Sequence, residues 1–161
     1  MTTATTTITA EPGSHSIAIT RDFAATPEQL LRAHTDPAIL AKWLGPRGYE
    51  MDVEVLEARR GGRWRYLHID GDAKYAFRGV FHNDPSVEHG VIQTFEFEGY
   101  PGEVSLEKLT FEDLGDGRTR LHGTSVFSSV EARDGMVASG MEKGVVQGYE
   151  QLDEWLASGG A

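Results

Sequence analysis

The chain has 161 residues, 25 acidic against 15 basic side chains, a formal net charge of −10 and no cysteine. This length suits one domain, which buries roughly 70% of the surface that its unfolded chain exposes. The negative charge disfavours nucleic acid as a partner, because the protein would repel a phosphate backbone. The lack of cysteine excludes disulfides, thiolate metal sites and cysteine nucleophiles, and it fits a reducing compartment.

The sequence predicts neither a membrane span nor a signal peptide. No stretch approaches the ~20 apolar residues of a membrane span, and residues 1–16 lack the features of a signal peptide, so we expect a cytoplasmic protein. Residues 1–15 are rich in threonine, which predicts a disordered tail, with an edge strand near residues 6–9 as the alternative. The domain is then expected over residues 16–157, with a frayed end at 158–161.

Two short helices are predicted after a first strand, Ser16–Phe23, whose residues alternate between apolar and polar. Thr26 can cap the first helix, and Gln29 closes a capping box with it. Asp36 is likewise a capping residue followed by a proline, so a second helix is expected over Pro37–Trp43.

Apolar residues recur with a period of two from residue 49 to residue 127, interrupted by turn signals rich in glycine, asparagine and aspartate. Short connections of this kind favour antiparallel strands, because parallel pairs need crossovers of a dozen residues or more. Six further strands are predicted, at about residues 51–58, 63–69, 75–82, 91–98, 103–112 and 118–127.

The last long segment, residues 133–156, has the 3.6-residue period of an amphipathic helix, with a bend expected at Ser139 and Gly140. Gly140, Gly144 and Gly148 form a stripe beside its apolar face, although each glycine weakens a helix interior by roughly 0.5–1 kcal/mol. Two explanations remain open: close approach of a neighbouring backbone, or room for a ligand beneath the helix.

These elements predict an α+β helix-grip fold, in which a curved antiparallel sheet of about seven strands holds the long C-terminal helix. A bent sheet and one helix leave a space at their flanks, which large side chains or a ligand must fill. His82 and Arg78 are candidate polar groups in that space. Its candidate apolar lining, which an ordinary core would explain as well, consists of Trp43, Trp64, Tyr66, Phe77, Phe81, Phe95, Phe97, Met141, Gly144, Val145 and Tyr149.

No catalytic residue, metal site or cofactor is predicted. The six histidines form no HxH or HxxxH pair, and no serine lies in a nucleophile motif. Glu96 and Glu98 share a strand face and could act as paired carboxylates, but they face solvent if Phe95 and Phe97 face inward. A basic cluster at residues 59–65 is interpreted as a solvated hairpin end, with an anion or acidic partner as the alternative.

Several short motifs, in order and spacing, resemble one family, the bacterial homologues of the activator of the heat-shock-protein-90 ATPase. The family belongs to the START-like superfamily, also called SRPBCC, so the resemblance implies the helix-grip fold over about residues 16–156. The motifs that carry it are Thr26-Pro27-Glu28, Asp36-Pro37, Trp43-Leu44-Gly45-Pro46, Gly61-Gly62-Arg63-Trp64-Arg65-Tyr66, Gly79-Val80-Phe81, Thr94-Phe95-Glu96-Phe97-Glu98-Gly99 and Gly140-Met141-Glu142-Lys143-Gly144.

The fold is compatible with several classes of function, because it hosts carriers, receptors, cyclases and chaperone partners. The favoured hypothesis is a protein that binds a hydrophobic small molecule between sheet and helix. The alternative is an interaction module for a chaperone or a stress-response regulator. An enzyme of the cyclase or hydrolase kind is least favoured, and a homodimer is expected if a sheet edge or the Trp43 region stays apolar and exposed.

Overall fold

The computed structural model describes residues 4–159. Within them it contains eight strands and four helices, and it confirms the predicted α+β class. The strands are β1 (Thr7–Thr9), β2 (Ser16–Phe23), β3 (Glu50–Leu56), β4 (Arg63–Asp70), β5 (Ala73–Val80), β6 (Val91–Phe97), β7 (Val104–Gly115) and β8 (Arg118–Val126). The helices are α1 (Pro27–Thr35), α2 (Pro37–Trp43), α3 (Val130–Ala138) and α4 (Met141–Ala157).

All eight strands form one curved, open sheet in the order β1-β2-β8-β7-β6-β5-β4-β3. Every neighbouring pair is antiparallel, as the short connections predicted. β2 pairs with β8 along its whole length, from Ser16 opposite Val126 to Phe23 opposite Thr119. This pairing closes the meander by joining the first long strand to the last.

The prediction of a disordered tail over residues 1–15 is wrong for the segment that forms β1. Ile8 lies opposite Ile19 of β2, and the Thr6 hydroxyl accepts a hydrogen bond from Arg21 Nε at 3.0 Å. The strand lies where the alternative, an edge strand near residues 6–9, placed it. Composition favoured the tail because the partners of this strand, the free edge of β2 and a buried guanidinium, lie elsewhere in the chain. Residues 1–3, and residues 160–161 of the predicted frayed end, lie outside the described residues.

The caps predicted for the short helices are present. The Thr26 hydroxyl accepts a hydrogen bond from the Gln29 amide at 3.2 Å, and the Gln29 side chain accepts one from the Thr26 amide at 2.7 Å. The Asp36 carboxylate accepts one from the Ala38 amide at 2.9 Å, at the start of α2. Both helices therefore begin where the local sequence predicted.

The predicted bend at residues 139–140 is a complete break between two helices. Gly140 has φ +85°, in the left-handed region that ends helices and that glycine adopts without strain. Ser129 caps α3, since its hydroxyl accepts a hydrogen bond from the Ala132 amide at 3.0 Å. The long amphipathic segment is thus a short α3 followed by a longer α4.

α4 rests on the loop that follows α2, and it lies closer to α2 than to any strand. A β-carbon at Gly148 would lie 3.2 Å from the Gly45 nitrogen and 3.4 Å from the Trp43 oxygen. Gln151 Nε2 donates hydrogen bonds to the carbonyls of these two loop residues, at 2.8 and 3.0 Å. Close backbone approach therefore explains Gly148.

A buried ion pair joins β2 to α4. The Arg21 side chain is only 1% exposed, and its guanidinium lies 2.7 Å from the Asp153 carboxylate. The same guanidinium lies 4.7 Å from the centre of the Phe23 ring, so it is both paired and stacked.

No helix among residues 4–159 combines the length and the hydropathy that crossing a bilayer requires.

The helical glycines at 144 and 148 make a matched test of this arrangement. A β-carbon at Gly144 would meet only the Pro46 ring, at 3.5 Å, whereas one at Gly148 would press on backbone atoms. We expect Gly144→Ala to raise the free energy of unfolding by about 0.5–1 kcal/mol and Gly148→Ala to lower it by about 1 kcal/mol. Urea denaturation measures both, and an equal gain in the two variants would contradict the close approach at Gly148.

Candidate functional site

A cavity of about 1050 Å³, called here the central cavity, lies between the inner face of the sheet and α2, α3 and α4. The structure places every predicted lining residue except Phe81 around this one space. Whether they contact a ligand stays a prediction. The predicted residues that line it are Trp43, Trp64, Tyr66, Phe77, Phe95, Phe97, Met141, Gly144, Val145 and Tyr149.

The sheet side of the cavity is an aromatic wall built from alternate residues of β4, β5 and β6. The Trp64 and Tyr66 rings stack with centres 5.0 Å apart, and Tyr66 lies 5.5 Å from Phe77. Phe77 in turn lies 5.5 Å from Phe95 and 5.1 Å from Phe97. Successive inward positions of neighbouring strands come this close in an antiparallel sheet, so the wall follows from the period-two pattern.

The helix side of the cavity is held by Trp43 and Tyr149, whose rings stack at 5.8 Å. Trp43 is 2% exposed, and its indole nitrogen donates a hydrogen bond to the Ala33 carbonyl at 3.0 Å. Tyr49 and Tyr75 also line the space but are more than a third exposed, which places them at its opening.

Three predicted cavity residues lie elsewhere. Phe81 is 2% exposed and packs in the core beside the cavity, because the chain leaves β5 at Val80. His82 is exposed. Arg78 lies on the outer face of the sheet, where its Nε is 3.0 Å from the Glu96 carboxylate. The prediction that His82 and Arg78 are polar groups of the cavity is therefore wrong.

The faces of β6 are assigned by these contacts. Phe95 and Phe97 point into the cavity, and Glu96 and Glu98 point to the outer face. A hydrogen bond from the Gly102 amide, and then the pairing with arginine, lower the pKa of Glu96. Glu98 lies 2.6 Å from Arg65, whose other partner is Glu54. Both glutamates form ion pairs on the outer face. They therefore do not act as paired carboxylates in the cavity.

The cavity contains a row of polar side chains that sequence reasoning missed, called here the polar row: Gln93, Glu107 and Ser125. Glu107 of β7 lies directly between the other two in the strand register. Its carboxylate accepts hydrogen bonds from Gln93 Nε2 at 3.0 Å and from Ser125 Oγ at 3.3 Å. Burial raises the pKa of Glu107, since the charged form loses its water.

Two histidines also line the cavity. His68 is 9% exposed, and its Nδ1 has no hydrogen-bond partner among the described residues. Its ring lies where a β-carbon of Gly45 would stand, so that glycine makes room for it. His34 Nδ1 bonds the Leu30 carbonyl at 2.7 Å, and its Nε2 is buried without a partner in the described part of the chain.

Burial governs the titration of both histidines and the tyrosines nearby. It lowers the pKa of His68, and it lowers the pKa of His34 to about 4. Burial first, and the negative charge of Glu107 second, raise the pKa of Tyr66 and Tyr149. Within residues 4–159, no three histidine, aspartate or glutamate side chains are grouped as a metal ion would require.

A curved antiparallel sheet that holds a C-terminal helix over a cavity defines a START-like, helix-grip protein. The family model described as "Activator of Hsp90 ATPase homolog 1-like protein" matches residues 24–157. The chain belongs to this family. Among curated proteins, none matches the chain.

Solved structures agree with this assignment. A crystal structure of a protein from Rhodobacter sphaeroides is 32% identical, covers 94% of this chain and 99% of its own, and has a TM-score of 0.83. One from Mycobacterium smegmatis is 26% identical, with coverages of 94% and 97% and a TM-score of 0.83. An HSP90 activator from Plasmodium falciparum, 21% identical over 70% of this chain and 73% of its own with a TM-score of 0.53, shares the fold alone.

The buried histidine at position 34 predicts a pH dependence of stability. In the unfolded chain His34 takes up a proton near pH 6.5, whereas in the folded protein it does so only near pH 4. Stability is therefore lost as the pH falls through this window, by about 2 kcal/mol from this group. We expect His34→Leu to lose less stability than the wild type between pH 7 and pH 4.5 in urea denaturation. His89→Leu, at an exposed histidine, is the control, and equal acid sensitivity of wild type and His34→Leu would contradict the assignment.

Proposed function

We propose that this protein binds a hydrophobic small molecule in the central cavity. The observation that carries the proposal is the cavity itself, about 1050 Å³ behind a wall of aromatic side chains. Ligand sites are typically concave spaces of roughly 300–1,000 Å³ with apolar walls and a few polar groups. The aromatic wall and the polar row match both parts of that description.

The alternative, that the aromatic residues only form a core, does not explain the size of the cavity. Protein interiors pack as densely as organic crystals and keep few voids larger than a water molecule. Here Trp64 and Trp43 are buried, yet Phe77, Phe95 and Val145 remain half-buried beside the cavity. Apolar side chains that face an internal space gain their full burial only when something occupies it.

The proposal includes a cytoplasmic location and an organic ligand without a metal or a cofactor. It does not require a dimer. Trp43, around which the sequence offered one dimer surface, is itself only 2% exposed, so its ring has no apolar area to share.

A protein-interaction role remains the second candidate, and one surface favours it. Val104, Leu106 and Val126, called here the outer strip, lie on the outer face of the sheet and are 41–48% exposed. Leu106 and Val126 lie directly opposite each other in the register of β7 and β8. An apolar strip of this kind suits a chaperone or regulator partner, and the family's name points to the chaperone.

The interaction role predicts binding through the outer strip. If it holds, Leu106→Glu should abolish capture of a purified chaperone of the heat-shock-protein-90 class, because a charge would enter the apolar contact. Leu114→Glu, at another exposed leucine on the same strand, should leave capture unchanged. Surface plasmon resonance measures both, and absence of wild-type binding would count against this role.

The binding role predicts uptake of N-phenyl-1-naphthylamine, a neutral aromatic probe whose fluorescence rises in apolar surroundings. Val145→Trp should weaken its binding at least about tenfold, or 1.4 kcal/mol, because the larger side chain fills the cavity from α4. Val137→Trp, the same change at an exposed position on α3, should leave the affinity unchanged. Fluorescence titration gives both constants, and native mass spectrometry of fresh protein reports any ligand that copurifies. Failure of the wild type to bind the probe, or equal binding by both variants, would contradict the proposal.

A further inference from the structure

The polar row is the feature of the cavity that an apolar ligand alone does not explain. Glu107 occupies an inward position of β7, between Ser105 and Leu109 on the same face. Its two hydrogen bonds come from neutral groups, Gln93 and Ser125. These bonds position the carboxylate but leave its charge without a counter-ion.

No lysine, arginine or histidine of the described residues forms an ion pair with Glu107. The other inward-facing charge of the sheet, Arg21, is paired with Asp153. Of the other cationic residues around the cavity, Arg47 is paired with Glu154, and Lys108 and Lys143 are exposed and form no ion pair with Glu107. A partly buried carboxylate without a cation has lost part of its hydration, so the site gains most from a partner that brings a positive charge with it.

The surroundings of Glu107 suit such a partner. Tyr66 and Tyr149 lie near enough for its charge to act on their hydroxyls. The faces of Trp64, Phe77 and the other wall residues attract cations through their ring quadrupoles. A carboxylate within an aromatic enclosure is the combination that recognises an organic ammonium group.

His68 supplies a second, independent sign of a polar ligand. It is buried, it lines the same cavity, and its Nδ1 has no partner among the described residues. Because burial lowers its pKa, the ring stays neutral and can donate or accept one hydrogen bond. The ring contacts Tyr66 edge-on at 5.2 Å, so it borders the same aromatic wall.

Resting on the binding function proposed above, we propose that the ligand is an aromatic or otherwise apolar amine, whose ammonium group pairs with Glu107. The apolar body lies against the aromatic wall. If the ligand belongs to this class of amines, the site binds a cationic group more tightly than a neutral group of the same size.

The test compares two probes that differ in one group, 2-(2-naphthyl)ethylamine and 2-(2-naphthyl)ethanol, by isothermal titration calorimetry at neutral pH. We expect the wild type to bind the amine at least about tenfold more tightly than the alcohol. Glu107→Gln keeps the shape and the acceptor for Gln93, and its amide can donate to the Ser125 hydroxyl in place of accepting from it. In this variant the two probes should bind equally, with the affinity for the alcohol unchanged. Glu112→Gln, at an exposed carboxylate of the same strand that does not line the cavity, should keep the preference for the amine.

The outcomes separate the two levels of the proposal. Equal binding of amine and alcohol by the wild type would overturn the amine assignment and leave the binding function standing. Retention of the preference in Glu107→Gln would overturn the role of Glu107. Absence of binding of both probes, together with no uptake of N-phenyl-1-naphthylamine, would overturn the binding function and the amine assignment with it. The wild-type comparison stands even if the variant fails to fold, which circular dichroism reports.

Discussion

The contact between α4 and the loop after α2 determines the shape of this protein. The missing side chain of Gly148 lets the helix backbone approach Gly45, and Gln151 fixes the approach by bonding two loop carbonyls. The long helix is thereby anchored to α2 and the loop after it, in addition to the sheet, which it meets through the Arg21–Asp153 ion pair. The first part of α4, around Val145, borders the central cavity, which lies between it and the sheet.

Local signals made most of the fold predictable. The caps of α1 and α2 depend on residues three positions apart, and the inward faces of β4 and β6 follow from aromatic residues at alternate positions. The glycine stripe was recognisable but not interpretable, because its three members act differently. Gly140 ends a helix, Gly148 admits a neighbouring backbone, and Gly144 meets only a proline ring.

The polar part of the cavity was beyond sequence reasoning for a physical reason. In β7 the apolar residues Val104 and Leu106 face outward, while Ser105 and Glu107 face inward, so alternation alone points to the wrong face. Which face is buried depends on the register with β6 and β8, and a single sequence does not specify a register. The same holds for β1, whose partner strand is separated from it by a loop.

The buried Arg133 connects the link between β1 and β2 to the cavity. From α3, which borders the cavity, this side chain donates hydrogen bonds to the carbonyl of Glu11 within the link and to that of Ser16, the first residue of β2. An edge strand of three residues is the least secure pairing in the sheet. One wall of the cavity is thus fastened to the edge of the sheet, so loss of the β1 pairing would also loosen the hold on α3.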